Sequence, residues 1–147
     1  TVVENCTVVA NTLKNGGGYY PTTAGGIYAD GGYVTNSLVA FNTNITDSAA
    51  TDVYAADLSR FSHSRAIELD DGANGNIADD PLLVMTPAGR HPQYSLTDGS
   101  PCINAGIRLP WMEAATDLAG NKRVSGGGVD IGCYEKPAAS ATILMLR

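Results

Sequence analysis

The chain has 147 residues, of which 44% are hydrophobic but only 7% aromatic, enough for one domain of ordinary size. Its formal net charge of -6 is relieved by no basic stripe, which disfavours DNA and RNA as partners. Gly, Asn, Asp and β-branched residues dominate and helix-forming runs are missing, which favours short strands separated by turns.

The opening Thr1-Val2-Val3-Glu4-Asn5-Cys6 already has a strand-like pattern. No charged segment followed by an apolar stretch precedes it, so the N-terminus reads as a cut. The strongest feature is an internal repeat. Asn5-Cys6-Thr7-Val8-Val9-Ala10-Asn11-Thr12 recurs 31 residues later as Asn36-Ser37-Leu38-Val39-Ala40-Phe41-Asn42-Thr43, and Val3 and Val34 keep the same register. Between the copies lie Asn15-Gly16-Gly17-Gly18, Gly25-Gly26 and Asp30-Gly31-Gly32, all turn signals. Such a pattern suits stacked parallel strands, each residue above its counterpart one repeat earlier. Val8 is then expected against Val39 in the interior and Asn11 against Asn42 at a bend, where amides bond to one another and to turn backbone. The stretch from Lys14 to Thr23 reads as a protruding loop.

Beyond Asn44 the period fades. Asp52-Val53-Tyr54-Ala55 and Ala66-Ile67-Glu68-Leu69 read as further strands, and Asp70 to Asn76 as a turn-rich loop. Ile77 to Val84 resembles the start of a strand with Pro81 at its edge. Gly89 to Ser100 reads as a loop around Tyr94-Ser95-Leu96. No apolar run is long enough to span a bilayer. The tail Ala141 to Arg147 reads as a last strand over an exposed edge. Cys6, Cys102 and Cys133 lack zinc-site spacing; they read as small buried hydrophobes, with a Cys102–Cys133 disulfide as the alternative.

Sites that carry chemistry compete with plainer readings. Asp70-Asp71 and Asp79-Asp80 are adjacent pairs, and neighbours on a strand point to opposite faces, so neither makes a catalytic dyad. The oxygen ligands of Asp70, Asp71 and Asp79 suit calcium, against a simple solvated loop. His63 and His91 are isolated, which argues against zinc. The serines around His63 lack the context of a hydrolase nucleophile. The glycine runs at 16–18 and 126–128 lack the lysine of a phosphate loop. Tyr19, Tyr20, Tyr28 and Tyr33 cluster in sequence around the first Gly-rich stretch. Exposed tyrosines beside Asn and Thr can stack on sugar rings, whereas the plainer reading has them cover the flank of the stack.

Three ordered motifs close the chain: Ser100-Pro101-Cys102-Ile103-Asn104-Ala105-Gly106, Asp117-Leu118-Ala119-Gly120-Asn121-Lys122-Arg123-Val124, and Gly127-Gly128-Val129-Asp130-Ile131-Gly132-Cys133-Tyr134-Glu135. They resemble S-P-C-I-N-A-G, D-L-D-G-N-P-R and V-D-I-G-A-Y-E of the choice-of-anchor Q domain, the C-terminal module of bacterial β-helix surface proteins. Asn76 to Leu82 resembles an upstream element of the same proteins. Ala119, Lys122 and Cys133 depart from the pattern, and Ala119 weakens an acidic calcium loop there.

The resemblance implies an all-β, right-handed parallel β-helix with a loop-rich C-terminal cap, in a bacterial extracellular or cell-surface protein. Residues 1–76 are then terminal coils, 77–136 the capping module and 137–147 a tail. An open stack end exposes unpaired backbone and apolar cross-section, so a cap is physically required. Cys102, Asn104, Asp117, Asn121, Arg123, Asp130, Tyr134 and Glu135 are the expected structural residues of that cap. Arg123 is expected to pair with Asp130 or Glu135, and Trp111 and Tyr134 to plug apolar surface. Two functions follow as expectations. Either the chain caps a monomeric surface protein that binds polysaccharide or other cell-surface glycan, or it supports a polysaccharide lyase or glycosidase whose active site lies upstream. No catalytic residue is assigned in either.

Overall fold

Short β-branched runs interrupted by Asn and Gly become strands of two or three residues, because the chain turns before any of them can lengthen. The computed structural model describes residues 1–14, 24–44, 51–85 and 93–137. The strands are β1 (Val2–Glu4), β2 (Thr7–Val9), β3 (Thr12–Leu13), β4 (Ile27–Ala29), β5 (Tyr33–Thr35), β6 (Leu38–Ala40), β7 (Thr43–Asn44), β8 (Val53–Ala55) and β9 (Phe61–Ser62). The longest helical piece described is a single 3-10 segment, Pro110–Ala114, so the chain is broadly all-β. Among the described residues no helix is long and apolar enough to cross a membrane.

Among the described residues every strand pair is parallel. The sheets run β1-β5-β9, β2-β6, β3-β7 and β4-β8. Val3 stands opposite Val34, Val8 opposite Val39, and Thr12 opposite Thr43, which is the register of the sequence repeat. A third layer follows with Val34 opposite Phe61, and single bridges extend it from Leu38 to Arg65 and on to Ile77. The corners repeat as well. Asn5, Asn36 and His63 all take left-handed backbone, at φ of 50°, 51° and 44°. Asn tolerates that region better than most residues. Ala10 and Phe41 match each other in the same way at the next corner.

Side chains carry the stacking through these corners. Cys6 N–H donates to Ser37 Oγ at 3.2 Å, Ser37 N–H to Ser64 Oγ at 3.2 Å, and Ser64 N–H to Asn76 Oδ1 at 3.0 Å. A second column begins with Asn11 N–H on Asn42 Oδ1 and continues with Asn42 N–H on Asp52 Oδ1, both at 3.0 Å. It ends with Asp52 N–H on Glu68 Oε1 at 2.8 Å. Amides that would be orphaned at the bends are thus satisfied by the next layer.

The interior between the sheets is filled by Val34, Val39, Val53, Phe61, Ala66 and Leu69, with Val3, Val8, Ile27, Ala29 and Ala55 packed against them. In β6, Leu38 and Ala40 face the other way, yet they too are buried, beneath Leu83, Leu96, Cys102 and Ile131. Both faces of β6 are covered, which is why it reads as an unbroken apolar run. Gly26 lies where a Cβ would come within 2.3 Å of Asp52 O and 2.7 Å of Val39 Cγ1. Gly26→Ala should therefore cost about 1–3 kcal/mol by overpacking. In a urea titration of both variants, Gly31→Ala, with open space around it, should stay close to the parent.

Two expected strands are absent. Ala66 to Leu69 forms a turn closed by Leu69 N–H on Ala66 O, because Glu68 is drawn off to bond the β8 backbone. From Ile77 to Val84 only isolated bridges form, as Leu82 takes a positive φ of 49° that breaks extension. Within the expected loop, Leu96 makes an antiparallel bridge to Leu83. The Lys14 to Thr23 loop lies outside the described residues apart from Lys14, and the Ala141 to Arg147 tail lies outside them entirely.

Candidate functional site

Parallel register turns single exposed side chains into columns. Outward positions of β4 and β8 place Tyr28 beside Tyr54, rings stacked at 5.5 Å between centroids and 16° between planes. Tyr28 is 62% exposed and Tyr54 43%. On the neighbouring sheet Tyr33 pairs with Val2, and both are well exposed. Arg60 holds its guanidinium carbon 5.8 Å from the centre of the Tyr33 ring, in reach of a cation–π contact. Arg60 also donates to Gly32 O at 3.5 Å and lies 3.6 Å from Asp57. The Ser59 hydroxyl and amide, with Arg60 behind them, hold the Asp57 carboxyl below its ordinary range.

Each of the two sheets thus presents exposed tyrosine, stacked on a second tyrosine in one and faced by a guanidinium in the other. Of the four tyrosines singled out in the sequence, Tyr28 and Tyr33 are exposed, while Tyr19 and Tyr20 lie outside the described residues. Tyr54 and Arg60 are additions. Tyr54 was detectable, since Ile27-Tyr28-Ala29 returns as Val53-Tyr54-Ala55 at an offset other than 31. No protein-family model, no curated protein and no solved structure matches this chain. Its chemistry is therefore read from its own residues.

The acidic residues of the loop behave differently from one another. Asp70, Asp71 and Asp79 are all exposed. The Asp71 carboxylate accepts Ala78 N–H, and Asp79 offers its backbone carbonyl to Arg65 Nε at 2.8 Å. Among the described residues no three His, Cys, Asp or Glu side chains converge as a metal-holding group. His63 packs its ring against Gly75, and His91 lies outside the described residues.

The buried Asp52 and half-buried Glu68 carboxylates are committed to backbone and side-chain donors of the corner. Asp52 receives Asn42 N–H and Nδ2 on one oxygen and Arg65 Nη1 on the other, at 3.0, 3.1 and 2.9 Å. Arg65 further bonds the carbonyls of Val39, Ala78 and Asp79. Glu68 spans Asp52 N–H and Val53 N–H with its two oxygens. Burial raises the Glu68 carboxyl despite those donors. This is bracing of the corner.

The closing motifs form a second polar network. The Asp117 carboxylate accepts Ala119 N–H, Asn121 N–H, Asn121 Nδ2 and Glu135 N–H. Burial pushes Asp117 up, but those donors outweigh it and hold the carboxyl below its usual value. Asp130 bonds Asn104 N–H and Lys136 N–H. Arg123 pairs with Glu135 at 2.8 Å, the second of its two expected partners, and also bonds Gly132 O and Asn5 O. Asn36 joins this region to the strands, donating to Ile107 O and accepting Ile107 N–H, both at 2.7 Å. Tyr134 is buried as expected, whereas Trp111 stays 48% exposed because its 3-10 segment turns Met112 inward instead. Cys102 and Cys133 are both free, and Cys102 sits in the second apolar cluster.

Proposed function

We propose that this chain is the capped C-terminal part of a right-handed parallel β-helix, exported to the bacterial surface, that binds polysaccharide along its tyrosine flank. The observation that carries the binding role is the exposed, stacked Tyr28–Tyr54 pair, with exposed Tyr33, faced by Arg60, on the strand that follows β4 in the chain. Solitary exposed aromatics are ordinary, but rings repeated one layer apart in parallel register make a linear apolar track. A glycan strand presents ring faces in a line with hydroxyls at their edges, and Asp30, Asp57 and Ser59 are exposed nearby in sequence to meet them. What supports the solenoid reading is the repeated register of strands, corners and side-chain columns, together with the three closing motifs. Export to the surface rests on the resemblance of those motifs.

The test is native gel electrophoresis through a panel of soluble neutral and uronate polysaccharides. The parent chain should be retarded by at least one polymer, and Tyr28→Ala/Tyr54→Ala should weaken that binding about tenfold, as two lost aromatic contacts of ~0.5–1.5 kcal/mol imply. Trp111→Ala, outside the columns, should migrate like the parent. Absence of retardation by every polymer, or equal retardation of the double variant, would remove the binding role.

A further inference from the structure

Cys6 occupies a corner where the next two layers carry serine. Ser37 Oγ donates to Thr35 O at 3.0 Å and Ser64 Oγ to Ser62 O at 2.9 Å. Cys6 Sγ repeats that contact with Glu4 O at 3.3 Å. The two serines are fully buried inside the stack, whereas Cys6 belongs to the first described layer and is partly exposed.

Alongside it runs the end of the last closing motif. Arg123 bonds Gly132 O at 3.0 Å and Asn5 O at 3.4 Å, so one guanidinium bridges the two segments. Cys133 N–H donates to Thr7 Oγ1 at 3.0 Å, and a Cβ on Gly132 would come within 2.8 Å of that same oxygen. Thr7 is therefore bonded to Cys133 directly and Asn5 is joined to Gly132 through Arg123, which sets the segments that carry Cys6 and Cys133 against each other from opposite ends of the sequence. Cys133 is itself partly exposed.

We propose that Cys6 and Cys133 form an oxidisable thiol pair whose disulfide fastens the first strand layer to the cap. The oxidant is a small-molecule disulfide. One thiolate attacks it, releasing one small thiol and leaving a mixed disulfide. The second cysteine, once deprotonated, displaces the other small thiol and closes the S–S bond. Two protein S–H bonds are lost, one S–S bond forms, and the oxidant leaves as two thiols. Burial raises the Cys133 thiol, while a hydrogen bond with the Thr7 side chain and the charge of Arg123 oppose the rise. Cys102, fully enclosed and pushed up to about 11 by burial, stands aside from the exchange.

The experiment incubates the full chain with oxidised glutathione, blocks remaining thiols and maps peptides by mass spectrometry. The expected product has lost two hydrogens and contains a cross-linked peptide joining residues 6 and 133, with Cys102 blocked only after denaturation. Cys6→Ser and Cys133→Ser should each abolish the cross-link and leave a glutathione adduct on the remaining partner. Closing so long a loop should raise Tm by roughly 5–15 °C, reversed by dithiothreitol. Stable glutathione adducts at both positions without a cross-link, unreacted thiols at both, or a cross-link to Cys102 would each overturn the proposal.

Discussion

Arg65→Met should lower the unfolding free energy by about 3–5 kcal/mol, read as a shift of the urea midpoint. The substitution keeps much of the side-chain volume but removes a guanidinium that is almost wholly buried. Asp52 loses its counter-charge at 2.9 Å while remaining enclosed, and the carbonyls of Val39, Ala78 and Asp79 lose donors. A buried charge stranded in this way is far more costly than the intact pair was stabilising. Asp52→Asn in the Arg65→Met background should therefore recover roughly 1–2 kcal/mol, because the amide oxygen still accepts Asn42 N–H and no charge remains. A single variant as stable as the parent would show that the pair is not buried in solution.

Arg65 also marks where the pattern stops being legible in the sequence. The first two layers pair Val with Val and Thr with Thr, so their shared offset could be found by inspection. In the third layer an arginine takes the place opposite Leu38 and a histidine the corner of Asn5 and Asn36. The backbone repeats there although the chemistry does not, since an ion pair with Asp52 replaces aliphatic packing. The β4–β8 pair escaped for a different reason. The connection from β3 to β4 is longer than that from β7 to β8, so Tyr28 and Tyr54 fall out of step with the main offset. The main offset of 31 therefore does not lead from Tyr28 to Tyr54, although the shorter repeat of Ile27-Tyr28-Ala29 as Val53-Tyr54-Ala55 does. The roles of Asp117 and Asp130 as backbone acceptors followed from turn chemistry, because carboxylates beside glycine bond turn amides, whereas Asn121 donates its side-chain amide to Asp117 instead. The docking of Asn36 onto Ile107 joins residues 71 apart and had no local signal.

Arg123→Leu should be as damaging as the loss of Arg65, about 3–5 kcal/mol, and it should loosen the closing-motif segment from the strands. Gly132 O and Asn5 O would lose their donor, and Glu135 would stay buried without its partner. The same site sets a pH dependence. Burial raises the Glu135 carboxyl to about 7, with Arg123 and the Asp130 amide opposing the rise. Burial raises Asp130 as well. A carboxyl whose folded pKa exceeds its unfolded value stabilises the fold most when protonated. That contribution is complete below the unfolded value near 4.5 and is lost as pH climbs to about 7. Asp117 acts in the opposite sense, since its lowered carboxyl gives up stability only as pH falls below the ordinary range. The parent chain should therefore melt higher at pH 5 than at pH 8, by an amount on the order of 2–3 kcal/mol at the level of stability. Glu135→Gln should flatten that slope even though it lowers stability overall by disturbing the Arg123 contact. A parent whose stability rises from pH 5 to pH 8, or a Glu135→Gln variant that keeps the full slope, would mean that another group governs the pH dependence.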